Sequence, residues 1–303
     1  MCVVDPEFAM LARLQKTLVL SLLFASLCAL ALLWPTSPIG AIALALLIFF
    51  SVALILACEF IVMYLVHKDD ATPRTSIRQM TAAWWSEVRQ DLQVFFWRQP
   101  FRSNVVPDEL TPRQVRGVVF LHGLFCNRGF WAPWMLRLRQ QGRPYLAVNL
   151  EPPLGKIDDY VGTVESAVQR VTAATGMPPV LICHSMGGLA ARAWLGSSAT
   201  ARSRVARVIT IGTPHAGTWL ARFSHGHNGR QMRQRSEWLT TLGGRETAGH
   251  NAPFTCWYSN CDNIVFPAST ATLPGADNRF VPGVAHVALA FHPTVMRESL
   301  AML

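Results

Sequence analysis

Charge is scarce in this chain of 303 residues. Only 15% are Asp, Glu, Lys or Arg, 51% are hydrophobic, and the mean hydropathy is +0.26. That is too apolar for an ordinary soluble enzyme and too mixed for an all-membrane protein. Lysine is nearly missing, with Lys16, Lys68 and Lys156 alone, so almost all of the 27 basic residues are arginine, and these are scattered. The net charge of +9 therefore reads as a cationic surface near anionic headgroups. It does not read as the clustered basic face of a nucleic-acid-binding protein. A disulfide framework is also missing. The seven cysteines (2, 28, 58, 126, 183, 256 and 261) are odd in number and dispersed, and a reduced compartment is expected. Cys256 and Cys261 lack the second pair of ligands that zinc requires, so neither metal nor cofactor is implied. No internal repeat or low-complexity segment is visible.

The apolar excess is local. Residues 17–34 are an uncharged run just long enough to span a bilayer core, and residues 39–66 form a longer one whose one charge is Glu59. Pro35-Thr36-Ser37-Pro38 between them forces the two helices antiparallel. A cleaved signal peptide competes with this reading, and Ala41-Ile42-Ala43 has the look of its cleavage site. The chain then continues straight into more hydrocarbon, which favours a membrane hairpin over residues 1–70. Arg13 and Lys16 precede the first run, Lys68, Arg74 and Arg78 follow the second, and the connecting loop is uncharged. Both ends are thus expected on the cytoplasmic side.

Residues 71–112 read as a linker. Ile77, Met80, Trp84, Val88, Leu92, Phe95 and Phe96 recur at helical spacing, with Arg78, Glu87, Arg89, Gln90 and Gln93 on the opposite face. Trp84, Trp85 and Trp97 are of the type favoured at the headgroup boundary. The helix either lies in the interface or packs its apolar face on the downstream domain, and Pro100 is expected to end it.

From residue 113 onward short apolar strands alternate with amphipathic helices. Strands are predicted at 115–121, 144–150, 179–183, 205–211 and 254–258, and helices at 130–141, 158–174 and 186–195. That order predicts a parallel sheet covered on both faces, with its active site at the carboxyl ends of the strands.

The segment Val180-Leu181-Ile182-Cys183-His184-Ser185-Met186-Gly187-Gly188-Leu189 runs a buried strand into a serine and then into a helix. A sharp turn there lifts the hydroxyl clear of the sheet and sets it at a helix N-terminus, where the N–H of Met186 points at a developing oxyanion. Gly187 lets helix and strand pass closely. These residues resemble the nucleophile elbow of the α/β-hydrolase superfamily, in its lipase and esterase branch. One departure is Cys183, where the family usually has glycine.

The resemblance extends to Phe120-Leu121-His122-Gly123-Leu124-Phe125, which is similar to the family's second oxyanion segment, with Leu124 as donor and Phe125 as fallback. Ile211-Gly212-Thr213-Pro214-His215-Ala216-Gly217-Thr218 is similar to a strand-end loop of bacterial lipases. The family's acid loop matches Tyr258 to Pro267, with Asp262 in the acid position and Asp277 as rival. His286, before a C-terminal helix, takes the place of the base, with His292 as the alternative. His122, His184 and His215 are left to shape loops, and His225, His227 and His250 to the exposed insertion. The resemblance implies an α/β-hydrolase fold behind two transmembrane helices, and a serine hydrolase with Ser185 as nucleophile, His286 as base and Asp262 orienting it. No cofactor or metal is implied.

A cap of about 38 residues, 216–253, carries Trp219, Leu220, Phe223, Met232, Trp238 and Leu239. It reads either as ordinary cap helices or as a lid over an acyl chain. Phe125, Phe130, Trp131 and Trp134 are candidates for an apolar wall. The expected substrate is a carboxylic ester, lipid-like given the tether. Acyl transfer, phospholipid deacylation, and an inactive membrane scaffold remain alternatives. The implied setting is a bacterial inner membrane, with bilayer and ester as partners, no nucleic acid, and no stated oligomeric state.

Overall fold

The computed structural model describes residues 10–246 and 253–303. The start of the hairpin with Cys2, and the end of the cap with His250, lie outside the described residues.

The N-terminal part is helical: α1 (Met10–Leu33), α2 (Pro38–Phe49), α3 (Ser51–Val66), α4 (Ile77–Gln93) and α5 (Gln99–Arg102). Pro38 sits in the first turn of α2, where its missing N–H costs nothing, and Ser37 caps that turn through Gly40 N–H. α1 packs along α2 through the small residues Ser26, Ala29, Ala41 and Ala45, and the Ser26 hydroxyl donates to Leu22 and Ala45 carbonyls. The expected single helix over 39–66 is instead divided at Phe50. Ser51 Oγ donates to the Ile48 carbonyl at 2.8 Å, a back-bond of the kind that bends helices. Beyond the bend α3 packs on α4, and Trp84 Nε1 donates to the Ala53 carbonyl. Met10–Leu33 and Ser51–Asp69 are long and apolar enough to cross a membrane, and only 17% and 22% of their most apolar stretches are buried. Core helices of a soluble domain would hide far more.

Ser76 and Gln79 form a capping box that starts α4. The helix differs from its sequence pattern in two ways. Glu87, assigned to the outward polar face, is buried together with Asp91, whereas Ile77 of the apolar stripe is exposed. Pro100 does not end it: the chain passes through a π-helical turn, Val94–Arg98, closed by Gln99 N–H on the Val94 carbonyl, and continues to Arg102. The wider turn re-spaces the backbone ahead of a residue with no N–H to donate.

The rest of the chain is one sheet with helices on both sides. The elements are β1 (Val118–Leu121), α6 (Ala132–Gln140), β2 (Tyr145–Ala147), α7 (Val161–Thr175), β3 (Val180–His184), α8 (Met186–Leu195), β4 (Arg207–Ile211), α9 (His227–Gln231), α10 (Glu237–Gly244), β5 (Phe254–Tyr258), β6 (Asp277–Phe280), α11 (His286–Ala290) and α12 (Pro293–Ala301). The strand order is β2-β1-β3-β4-β5-β6, every pairing parallel. Successive residues point to opposite faces. Val119, Leu121, Leu181, Cys183 and Val208 join α7 and α8 in one core, and Val118, Phe120, Val180, Ile182 and Ile209 join α6, α11 and α12 in the other. β6 had no counterpart among the predicted strands. Chain order reverses between β1 and β3, the switch point beside which sheets of this kind place their sites, at the carboxyl ends of the strands.

Candidate active site

Ser185 follows β3 directly and precedes α8. Its backbone has φ 54° and ψ −128°, a conformation that non-glycine residues adopt at a cost of about 1–3 kcal/mol and that surrounding structure must enforce. Here its N–H donates to the Ile211 carbonyl, and its carbonyl accepts from Thr213 Oγ1 and Gly188 N–H. The closeness that the glycines were expected to allow is present. A Cβ on Gly187 would lie 2.4 Å from the Leu121 carbonyl oxygen, and one on Gly188 2.2 Å from Thr213 Oγ1. A Cβ on Gly123, after β1, would lie 2.8 Å from that of Ser185, so the β1 loop rests on the serine. Cys183 is fully buried in the core beneath, which is why a small apolar side chain serves there.

Asp262 leaves β5 in a tight loop. Its Oδ1 accepts from the N–H groups of Ile264 and Val265, and its Oδ2 lies 2.9 Å from His286 Nδ1. A carboxylate only accepts, so Nδ1 carries the proton and Nε2 is left with its lone pair. Gly212, at φ 57°, completes the pocket: a Cβ there would lie 3.0 Å from Asp262 Oδ2 and 3.1 Å from His286 Nδ1. Ser185, Asp262 and His286 are all buried, at 6%, 2% and 4% exposure. Asp262 and His286 are joined directly. Ser185 Oγ has no hydrogen-bond partner among the described residues, and bonds of this kind often close only around substrate.

The rival residues fall elsewhere. Asp277 starts β6 and pairs in register with Thr255, at the amino end of the sheet, where it bonds Arg279. His292 caps α12. The three motif histidines hold loops. His122 Nε2 accepts from Leu150 N–H while its Nδ1 meets the Gly123 carbonyl, and burial pushes it down to about 4. His184 Nε2 donates to the His286 carbonyl and its ring stacks on Phe130; His215 meets Thr210 Oγ1. Burial lowers both well below the ordinary histidine range. His225 and His227 are exposed.

Leu124 is half-buried, and among the described residues its N–H has no acceptor. Met186 N–H, in the first turn of α8, has none within the helix. Phe125, at φ 53°, is 48% exposed and its carbonyl accepts from Gln15 of α1. The apolar wall is not formed as expected. Phe130, Trp131 and Trp134 are fully buried against Phe120, filling core volume, which leaves Phe125 alone at the surface. The cap is pinned to the loop before α7: Asn228 Nδ2 donates to the Pro153 carbonyl, and Gln231 Nε2 and Trp238 Nε1 to Asp158. Asn263, which no motif role singled out, accepts the backbone N–H of His286 on its Oδ1 at 3.2 Å. Its place beside the acid was the one available signal.

Among the described residues no group of three or more His, Cys, Asp or Glu is arranged to hold a metal ion. A family model described as the alpha/beta hydrolase family matches residues 118–297. The chain is 35% identical over 119 residues to triacylglycerol lipases of Pseudarthrobacter phenanthrenivorans and Burkholderia plantarii, covering 35% of this chain and 35% and 31% of those proteins. It thus spans about a third of the length of the curated relatives it matches. Among solved structures, a mature lipase of Bacillus licheniformis superposes with a TM-score of 0.55 at 16% identity, over 65% of this chain and 92% of that one. Lipase B of Aspergillus fumigatus gives 0.51 at 19% identity, over 60% and 50%.

Proposed function

The chain belongs to the alpha/beta hydrolase family, and from that membership and the site's geometry we propose that it is a membrane-anchored serine hydrolase cleaving carboxylic esters, lipid-like ones foremost. The observation that carries the proposal is the strained Ser185 at the end of β3, with the Asp262–His286 pair held over neighbouring strand ends. Ser185 Oγ attacks the ester carbonyl as His286 Nε2 takes its proton, and the alcohol leaves on protonation by the same imidazolium. Asp262 holds the ring and stabilises its positive charge. The N–H groups of Leu124 and Met186 hold the oxyanion, each contributing about 3 kcal/mol. Water activated by His286 then releases the acid. The two relatives are named triacylglycerol lipases, which supports a lipid ester as substrate.

The test is labelling of the full chain in detergent micelles by a fluorophosphonate, followed by p-nitrophenyl esters of graded chain length. Labelling is expected in the wild type and absent from Ser185→Ala. A wild type inert to the probe would leave the inactive scaffold as the better account, and a preference for acetyl esters would remove the lipid reading. Acyl transfer and phospholipid deacylation use the same triad and would appear as acylated alcohol or lysolipid among the products.

The exposed apolar surfaces of α1, α2 and α3 support membrane anchoring, and the basic flanks support a cytoplasmic catalytic domain in a bacterial inner membrane. An alkaline phosphatase fused at the C-terminus is expected to be inactive; an active fusion would reverse the orientation.

A further inference from the structure

Glu59 is the one acid in the apolar run 39–66, and an ionisable residue in such a setting calls for a partner and a reason. Its Oε2 accepts from Asn263 Nδ2 at 2.8 Å, and Asn263 Oδ1 in turn accepts the backbone N–H of His286. Asn263 is fully buried, so both halves of its amide are committed to this chain of contacts. A second acid arrives from α4. Glu87, 1% exposed, accepts Val287 N–H at 2.7 Å on Oε1 and Ala288 N–H at 2.9 Å on Oε2. Those N–H groups belong to the first turn of α11, where no intrahelical acceptor exists. Around them Phe60 and Met63 of α3 and Ala83 of α4 pack with Phe266, Ala285 and Ala288.

Burying a carboxyl group, fully at Glu87 and in part at Glu59, costs hydration that leucine would not lose. The acids therefore do something an apolar side chain does not. Each bonds backbone or amide groups adjoining His286, from helices that lie outside the α/β sheet. On the reading of Ser185, Asp262 and His286 given above, we infer that Glu59 and Glu87 are positioning residues that fix the His286 loop, so that the N-terminal helices complete the active site as well as anchor it. Neither touches substrate. The hydrolase domain supplies Asp262 to one ring nitrogen of His286, Asn263 to its N–H and His184 to its carbonyl, whereas the N–H groups of Val287 and Ala288 are held from α4 and Asn263 is itself held from α3. The ionisable groups facing Glu87 are Asp262 from the β5 loop, Glu59 from α3 and Asp91 from its own helix. Burial, reinforced by Asp262 and Glu59, raises Glu87 to about 8 against the lowering effect of the two N–H donors.

The experiment is steady-state ester hydrolysis by the full chain in micelles, with fluorophosphonate labelling of Ser185 measured in parallel. Glu59→Ala and Glu87→Gln are expected to lower kcat roughly tenfold or more, because sub-ångström displacement of a catalytic base is costly, with KM changed less than about twofold. Glutamine at 87 would turn a donor toward one of the two N–H groups. Asn263→Asp sets a second carboxylate against Glu59 and is expected to be slow as well. The double variant E59Q/N263D restores a donor-to-acceptor pair and is expected to recover most of the lost kcat, which a purely structural role would not require. Wild-type kcat in both E59A and E87Q, or no recovery in the double variant, overturns the inference while wild-type labelling leaves the hydrolase reading standing. A wild type that the probe does not label overturns both.

Discussion

At the residue scale, the buried histidines carry a consequence for acid stability. His122, His184 and His215 are held neutral by burial, His122 at about 4. A histidine whose folded pKa lies below its unfolded value of 6.5 binds fewer protons folded than unfolded between those two values. Its contribution is therefore intact above pH 6.5 and lost as pH falls toward 4. For His122 that loss amounts to about 3 kcal/mol at most. Glu87 acts in the opposite sense. Its folded pKa is raised, so it favours the folded chain below pH 4.5 and loses that contribution as pH rises through about 8. Only a difference isolates either one. Urea unfolding of wild type and His122→Asn at pH 7 and pH 5 is expected to show a wild type whose stability drops more steeply on acidification. Parallel pH dependences would contradict the neutral, buried state of His122. Residues of this kind were legible in part. His122, His184 and His215 stood in motifs because strand-end loops need polar side chains to tie them down; His122 and His184 bond backbone groups, and His215 bonds the Thr210 hydroxyl. Asn263 offered only its place beside the acid and Glu87 offered nothing, since the backbone N–H groups they accept from are more than 20 residues away in sequence.

At the scale of elements, strands were easier to read than helices. The strands of the sheet are buried on both faces, so they appear as continuous apolar runs and four of the five predicted ones overlap closely with β1, β3, β4 and β5. β2 is three residues, and β6, at the sheet edge with Asp277 and Asn278 exposed and Arg279 partly so, has no such run. α4 shows where periodicity misleads. Its apolar stripe implies one buried face, but the helix is wedged between α3 and α11 and buries Ala83, Glu87 and Val88 while leaving Ile77 and Trp85 open. Hydrophobicity ranks side chains by transfer from water, and a carboxyl group whose oxygens accept from two orphan N–H groups escapes that ranking. The bend at Phe50 was equally hidden, because Ser51 within an apolar run reads as a tolerated small residue until its hydroxyl is seen on the Ile48 carbonyl.

At the scale of the whole molecule, the N-terminal helices meet the catalytic domain at the end of the sheet that carries Ser185. Gln15 Nε2 bonds the Phe125 carbonyl, Thr75 Oγ1 bonds the Asn260 carbonyl, and Phe60 and Met63 pack against Phe266. This fixed docking, with the bilayer anchoring proposed above, makes the search for substrate a problem in two dimensions. An enzyme held at the lipid surface meets its ester by lateral diffusion, so the effective concentration is a mole fraction in the bilayer rather than an amount per litre. In proteoliposomes, diluting a lipid ester with inert phospholipid at constant total ester is expected to slow turnover, while adding buffer at constant bilayer composition is expected to leave it unchanged. Velocity that followed bulk concentration instead would mean that ester reaches Ser185 from water. Distance from the membrane thus becomes a kinetic parameter, set once by the geometry of two helices and not by the affinity of the site.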